Sequence, residues 1–285
     1  MINKKAFAKL NLNLHVLPQK NSKGYHLIHF INTQLALYDE LFFEPAEHGI
    51  EVVCDYKGMP KQEDNLVYKA ALLLQERDPQ KRGIKITIKK NIPIRAGLGG
   101  GSSDAAVTVN TLSELWNIHL TGEERTSLAN LLGKDVHYSL VGGVAEVSGD
   151  GNKIMPSSFN APELWPVIIM PKETKPSTGW MYSEIDETKI GKHLHYIPKI
   201  KEAMGSKNDK DFLNYIFNDF ESSVFKHFPV TLTMKQDLVD SGASKTLLCG
   251  SGLSVAGFFT DEKEAKRAQR LLADKYKDVI ITKLN

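Results

Sequence analysis

The stretch Pro93-Ile94-Arg95-Ala96-Gly97-Leu98-Gly99-Gly100-Gly101-Ser102-Ser103-Asp104-Ala105-Ala106 decides how the chain is read. It follows Ile84, Ile86 and Ile88, whose alternation with charged residues and threonine predicts a strand. It leads into Ala105, Val109, Leu112 and Trp116, whose spacing predicts a helix over Asp104–Trp116. Glycines let a backbone approach a ligand closely and take up positive φ. The free N–H groups at the start of the helix then point at an anion, and Ser102 and Ser103 add hydroxyls. A flexible turn with a serine cap is the plainer alternative. Four glycines in the five residues Gly97–Gly101, directly before an amphipathic helix, favour a phosphate cradle. The loop is neither the dinucleotide-binding Gly-x-Gly-x-x-Gly of a βαβ unit nor a Walker A loop, which needs a lysine before its Ser/Thr.

On the N-terminal side, Ala8, Leu10, Leu12 and Leu14 alternate with Lys9, Asn11, Asn13 and His15. Period two predicts a strand over Phe7–His15 with one buried and one polar face. Pro18–Gly24 reads as a turn, Tyr25–Leu37 as extended, and Tyr38–Phe43 as leading into another strand. A strand over Ile50–Asp55, a loop at Lys57–Pro60 and a helix over Asn65–Arg77 capped by Asp64 complete this side. On the C-terminal side, Thr121-Gly122-Glu123-Glu124 is a capping box for a helix ending near Leu132. A short helix over Asp135–Val141 and a strand over Val144–Ser148 follow.

The segment Gly149–Leu164 is rich in Gly, Ser, Asn and Pro, and we place the domain boundary there, giving domains 1–155 and 156–285. Beyond it we expect a strand over Val167–Met170, a helix starting within Ser177–Ile185, and helices over Asn218–Phe228 and Leu232–Leu238. A glycine turn over Leu247–Gly252, a strand over Val255–Phe259, an amphipathic helix over Asp261–Lys275 and a strand over Val279–Thr282 close the chain, while Lys192–Lys210 stays unassigned. Strands and helices mix without a βαβ period, so the fold class is α+β with two domains.

Composition narrows the function. The 285 residues are 41 % hydrophobic and 25 % charged, with a formal net charge of +2. That balance argues against a nucleic-acid partner or a polybasic membrane anchor. With two cysteines, Cys54 and Cys249, no disulfide framework is expected, and a cytoplasmic setting is the simplest expectation. No apolar run suggests a signal peptide or a membrane span. Cys and His show no metal-ligand spacing, so no protein-held metal centre is expected.

The loop resembles the Pro-x-x-x-Gly-Leu-Gly/Ala-Gly-Gly-Ser-Ser-Asp-Ala-Ala signature of the GHMP kinases, small-molecule kinases with an ATP phosphate loop. The likeness extends to Ala8-Lys9-Leu10-Asn11-Leu12, Lys23-Gly24-Tyr25-His26, Asp64-Asn65-Leu66-Val67, Gly133-Lys134-Asp135-Val136, Asn218-Asp219-Phe220-Glu221 and Gly250-Ser251-Gly252. The ordered set, with Gly-Tyr-His near the start, is similar to the branch that phosphorylates a cytidyl alcohol in isoprenoid precursor synthesis. The resemblance implies a GHMP kinase fold: an N-terminal domain like the second domain of ribosomal protein S5 and a ferredoxin-like C-terminal domain. It implies ATP with Mg²⁺, brought in on the phosphates and held by at most one or two side-chain oxygens. A monomer or homodimer is expected.

The resemblance also assigns roles. Asp135 becomes the catalytic base and an acceptor contact, with Lys9 as its catalytic partner, holding that carboxylate ionised and neutralising charge. Asn65, Lys90, Pro93, Gly97, Leu98, Gly99, Gly100, Gly101, Ser102 and Ser103 become the ATP-binding set. Asn11, Tyr25, His26 and Tyr182 become acceptor-binding residues, with Trp180 the other candidate for the second aromatic against cytosine. Several bland readings stay open. Asp135 suits a helix cap, Lys9 a surface lysine, Lys90 a solvated strand lysine, and Tyr25 a turn tyrosine packed on the sheet. Asn218, Asp219 and Glu221 read as structural, capping a helix. The sequence departs from the family at His137, where proline is common, at Arg95, where small residues are common, and at Leu248-Cys249. Arg95 suits either a substrate phosphate or a surface salt bridge. These departures leave two alternatives: a GHMP kinase for another small alcohol such as mevalonate or homoserine, and a non-catalytic nucleotide-binding protein.

Overall fold

The computed structural model describes every residue except Lys57, so the loop expected at Lys57–Pro60 lies partly outside the described residues. The long strands β1 (Ile2–Lys20) and β2 (His26–Ala46) contribute residues to both of two compact units. The first unit holds Met1–Ala8, Leu37–Ile94 and Gly99–Gly142; the second holds Lys9–Ala36, Arg95–Leu98 and Gly143–Asn285.

In the first unit, β2 pairs antiparallel with β4 (Gly83–Lys89), and β4 pairs parallel with β3 (Ile50–Cys54), in the order β3-β4-β2-β1. Leu41 lies opposite Ile88 and Phe43 opposite Ile86, so period two puts these side chains on one face. That face meets α1 (Leu66–Gln75) and α2 (Gly100–Leu115), with α3 (Gly122–Leu132) and α4 (Lys134–Val141) beside them. Ala70 and Ala71 on α1 and Ala105 and Ala106 on α2 are fully buried, which lets these two helices pack closely. Each fully buried Leu, Ile or Phe of this core contributes about 1.5–3 kcal/mol.

In the second unit, β5 (Ala145–Gly149) pairs antiparallel with β2 and with β6 (Lys153–Pro156), and β8 (Phe217–Asn218) pairs parallel with β1. A separate four-stranded sheet has the order β11-β7-β10-β9, formed by β7 (Trp165–Ile169), β9 (Lys245–Leu248), β10 (Val255–Phe259) and β11 (Val279–Ile281). The helices are α5 (Thr178–Ser183), α6 (Tyr196–Ser206), α7 (Asp209–Asn214), α8 (Glu221–His227), α9 (Val230–Asp240) and α10 (Glu262–Ala273). Asp261 caps α10 by accepting from the N–H groups of Lys263 and Glu264, and Ala265, Ala268 and Leu272 form its buried stripe.

Several expectations change. The polar row of β1 is buried: Lys9, Asn11, Asn13 and His15 are each at most 5 % exposed. Lys9, Asn11 and Asn13 turn inward onto polar partners, while the His15 ring, with neither nitrogen hydrogen-bonded, stacks on Phe217 at 5.4 Å. Lys9 Nζ donates to Asn11 Oδ1 at 2.8 Å, Asn11 Nδ2 to Asn32 Oδ1 at 2.7 Å, and the Ile31 N–H to Asn13 Oδ1 at 2.9 Å. Asn65, rather than Asp64, caps α1 by accepting from the Val67 N–H. Helix α2 starts at Gly100, four residues before the expected Asp104, because Gly99 sits in the left-handed region at φ 70° and releases the chain into the helix. The unassigned stretch holds α6, whose Ile197, Ile200, Ala203 and Met204 bury one face. Asn218 lies in β8 and caps no helix; α8 begins only at Glu221.

Candidate active site

The glycine loop contributes to both units. In the first, α2 opens at Gly100 with no side-chain cap, so the N–H groups of its first turn are the kind a helix start offers to anions. Gly100 is required by packing: a Cβ there would lie 2.9 Å from Ile92 Cγ2 and 3.3 Å from Lys90 Nζ. Ser102 is half-buried and Ser103 buried within this first turn, while Gly101 is exposed.

Lys90 is not a solvated strand lysine. Its ammonium donates to Asp39 Oδ2 at 2.5 Å and to Asp104 Oδ2 at 2.9 Å, and all three side chains are buried. The N–H groups of Asn91 and Ile92 donate to Asp39 Oδ1 at 2.6 and 2.8 Å. The triad therefore ties the interior of β2, the segment entering the glycine loop, and the first turns of α2. Two carboxylates share one ammonium, and Asp104 Oδ1 is buried without a hydrogen-bond partner. Burial pushes the Asp104 carboxyl up to about 7, against the pull of Lys90.

Asn65 borders a pocket of about 710 Å³ lined also by Val52, Cys54, Tyr56, Met59 and Pro60. Its carboxamide oxygen is committed to the α1 cap, which fixes the side chain's orientation at the pocket wall. Asp135 is half-buried in the first turn of α4, where the N-cap is Gly133 at φ 147° and no side chain caps the helix. An aspartate there is favoured by the positive helix end. His137 fills its unusual position by packing inward, with Nε2 3.1 Å from Asn130 Oδ1.

In the second unit, Gly97 has φ 77°, and a Cβ there would lie 2.2 Å from the Cys249 carbonyl oxygen. The Lys9 N–H donates to the Leu98 carbonyl at 2.9 Å, joining β1 to the same loop. Gly250 and Gly252 complete the contact. A Cβ on Gly250 would meet Asn11 Oδ1 at 3.1 Å and Lys9 Nζ at 3.6 Å, and one on Gly252 would meet Gly97 Cα at 3.2 Å. The turn is held from behind by Asn218, whose Nδ2 donates to the carbonyls of Leu248 (2.9 Å) and Gly250 (2.7 Å). Glu221 accepts from the Leu248 N–H, and Asp219 accepts from the N–H groups of Val16 and Gly191. These three residues are structural, as expected. Cys249 is fully buried, and that burial pushes its thiol up to about 12. Arg95 is exposed, with φ 63°.

Tyr25 is 65 % exposed at the turn between β1 and β2, not packed on the sheet. Next to it, His26 is buried, with Nδ1 2.7 Å from the Leu17 carbonyl and Nε2 3.3 Å from Glu187 Oε1. On α5, the Trp180 ring packs edge-on against His227 and Phe228, and the Tyr182 ring against Phe220 at 4.9 Å. Sequence reasoning missed Asp39 and Asp104 as partners of Lys90. It also missed Lys175, which bonds Ser251 of the glycine turn. The carboxylates carried no local signal, since Asp39 is 51 residues from Lys90.

A model of the GHMP kinases N terminal domain matches residues 65–149. The 4-diphosphocytidyl-2-C-methyl-D-erythritol kinase of Clostridium botulinum (strain Eklund 17B / Type B) is 35 % identical over 285 residues, covering 99 % of each chain. A crystal structure of 4-(cytidine 5'-diphospho)-2C-methyl-D-erythritol kinase superposes with a TM-score of 0.86 at 30 % identity, covering 100 % of this chain and 99 % of that one. The L. major mevalonate kinase superposes with a TM-score of 0.75 at 16 % identity, covering 100 % and 96 %, and shares the fold.

Proposed function

The chain belongs to the 4-diphosphocytidyl-2-C-methyl-D-erythritol kinase family of GHMP kinases, and from that premise we propose how its residues work. It transfers the γ-phosphoryl group of ATP to the 2-hydroxyl of 4-diphosphocytidyl-2-C-methyl-D-erythritol, a step of non-mevalonate isoprenoid precursor synthesis. The observation that carries this reading is the uncapped, glycine-built start of α2, in a chain matched end to end by such kinases.

The acceptor oxygen forms a bond to the γ-phosphorus as the bond to the bridging oxygen breaks and ADP leaves. The hydroxyl proton passes to the Asp135 carboxylate. Phosphoryl transfer asks mainly for positioning and charge stabilisation, so an ordinary aspartate suffices. We assign Lys9 to charge neutralisation; burial, with its bond to Asn11, fixes the direction of its ammonium. The γ- and β-phosphates are assigned to the backbone of Gly97–Gly101 with Leu98, Ser102 and Ser103, and Pro93 shapes the entry to the loop. The adenosine end is assigned to the pocket beside Asn65. For Lys90 the triad supports a supporting role behind that nucleotide site. Cytosine is assigned to Tyr25, His26 and Tyr182, and the erythritol hydroxyls to Asn11.

Mg²⁺ favours hard oxygen ligands and retains water and phosphate oxygens. The hydroxyls of Ser102 and Ser103 in the first turn of α2 suit it, whereas Asp104 is turned inward to Lys90. Bound there, the ion supplies charge neutralisation on the phosphates. We further propose that residues 1–155 form the ATP-binding domain and 156–285 the C-terminal kinase domain, and that the enzyme acts in the cytoplasm as a monomer or homodimer. Among the described residues no helix is long and apolar enough to cross a membrane.

The test is ATP-dependent turnover of purified protein with the cytidyl alcohol, mevalonate and homoserine in parallel, read by mass spectrometry. Product from the cytidyl alcohol alone is the expected result. Product from another alcohol alone removes the acceptor assignment, and ATP binding without any product removes the kinase reading.

A further inference from the structure

Resting on the kinase function given above, we propose that Lys175 is a positioning residue that couples the acceptor-binding segment of α5 to the Gly250-Ser251-Gly252 turn. The Lys175 ammonium donates to the carbonyl oxygen of Ser251, to Ser251 Oγ at 2.8 Å, and to Thr178 Oγ1 at 3.5 Å. An ammonium has three N–H donors and no acceptor, so one lysine can serve oxygens from both segments. They come from two segments more than 70 residues apart, the first residue of α5 and the middle of the glycine turn.

Each end of this tie leads into the site. On one side, Ser177 caps α5 by accepting from the Trp180 N–H, which fixes the helix that carries Tyr182. On the other side, Gly250 packs on Asn11 and Lys9, and Gly252 packs on Gly97. A Cβ on Gly250 would be tight against Asn11 and in ordinary contact with Lys9, and one on Gly252 tight against Gly97, so a shift of the turn is passed to these neighbours. Asn218 holds the turn through the carbonyls of Leu248 and Gly250, and Lys175 holds the following carbonyl, that of Ser251. Lys175 is thus the side-chain hold on the Ser251 end of a turn that also carries the backbone bonds Gly252 N–H to Cys249 O and Cys249 N–H to Ser254 O. A lysine that only packed a surface loop would have no reason to chelate a backbone carbonyl and the hydroxyl of the same turn residue.

The test compares wild type, Lys175→Met and Lys175→Arg in steady-state kinetics with ATP and the cytidyl alcohol, alongside amide hydrogen exchange of residues 249–254. Misplacement of reacting groups by about 1 Å costs up to roughly a hundredfold in rate. For Lys175→Met we expect kcat to fall roughly ten- to hundredfold and KM for the acceptor to rise. Exchange at 249–254 accelerates, and the thermal midpoint stays within a few degrees of wild type. Lys175→Arg, which keeps the charge and the donors, recovers most of the loss. Wild-type kcat and KM in Lys175→Met, or an Arg variant no better than Met, overturn the proposal. If wild type fails to phosphorylate the cytidyl alcohol, the acceptor assignment falls separately. Exchange alone then decides the tie, and unchanged protection at 249–254 in Lys175→Met overturns it.

Discussion

Replacing Lys90 by Met removes the cation shared by two fully buried carboxylates, Asp39 and Asp104. Methionine matches the lysine stem in length, so packing is conserved and the change is electrostatic. Asp39 keeps the N–H groups of Asn91 and Ile92 and stays solvated by backbone. Asp104 loses its Oδ2 partner while its Oδ1 has none, leaving a buried carboxylate without compensation. Breaking a buried ion pair from one side costs about 3–5 kcal/mol. Total domain stability is about 5–15 kcal/mol, so the variant loses a large share of it. At low pH Asp104 takes up a proton, and the cost falls toward that of an unsatisfied polar group, about 1–3 kcal/mol. Urea unfolding at pH 5 and pH 8 reads both values. The double variant Lys90→Met/Asp104→Asn should recover most of the pH 8 loss, because no unpaired charge is left at position 104. A loss below about 1 kcal/mol at pH 8, or an equal loss at both pH values, refutes the triad as a buried electrostatic unit.

Three further outcomes follow from the same geometry. Because the folded-state pKa of Asp104 is raised to about 7 by burial, its contribution is present below the unfolded value near 4 and is lost as pH rises toward 7. Stability of the wild type should therefore decline over that window, and Asp104→Asn should flatten the decline in urea melts; a slope unchanged by the substitution contradicts it. Gly97→Ala places a methyl 2.2 Å from the Cys249 carbonyl in a backbone region that costs an L-residue roughly 1–2 kcal/mol, so the turn must move. Kinase turnover should fall at least about tenfold, and retention of full activity shows that the turn tolerates displacement. Asp135→Asn keeps the size and hydrogen-bonding shape but cannot take the proton; kcat should drop roughly a hundredfold or more with KM for ATP little changed, and near-wild-type kcat removes Asp135 as the base.

The glycine loop, the capping box at Thr121 and the Asp261 helix were legible because each signal is local: glycines before an apolar period, or a cap three residues from its partner. The polar row Lys9-Asn11-Asn13-His15 showed its period correctly but not its burial. Alternation reports that two faces differ, and the partners Asn32 and the Ile31 N–H, contributed by β2, are what make Asn11 and Asn13 fit to be buried. The same limit hid the setting of Lys90, because its partners lie 51 and 14 residues away. It hid Lys175 as well, 76 residues from Ser251 and without a periodic pattern around it. Helix α6 is a different case: Ile197, Ile200, Ala203 and Met204 carry helical spacing, but Pro198 and the surrounding lysines mask it. Proline in the first turn is compatible with a helix, since its missing N–H is one that no helix uses there.

The most direct measurement is the transfer of isotopically labelled γ-phosphate from ATP to 4-diphosphocytidyl-2-C-methyl-D-erythritol by the purified chain, with the product's phosphorylated carbon located by NMR. The account predicts one new phosphate monoester, on the 2-hydroxyl, and stoichiometric ADP. Label appearing only as free phosphate, or on mevalonate or homoserine in preference to the cytidyl alcohol, would contradict it.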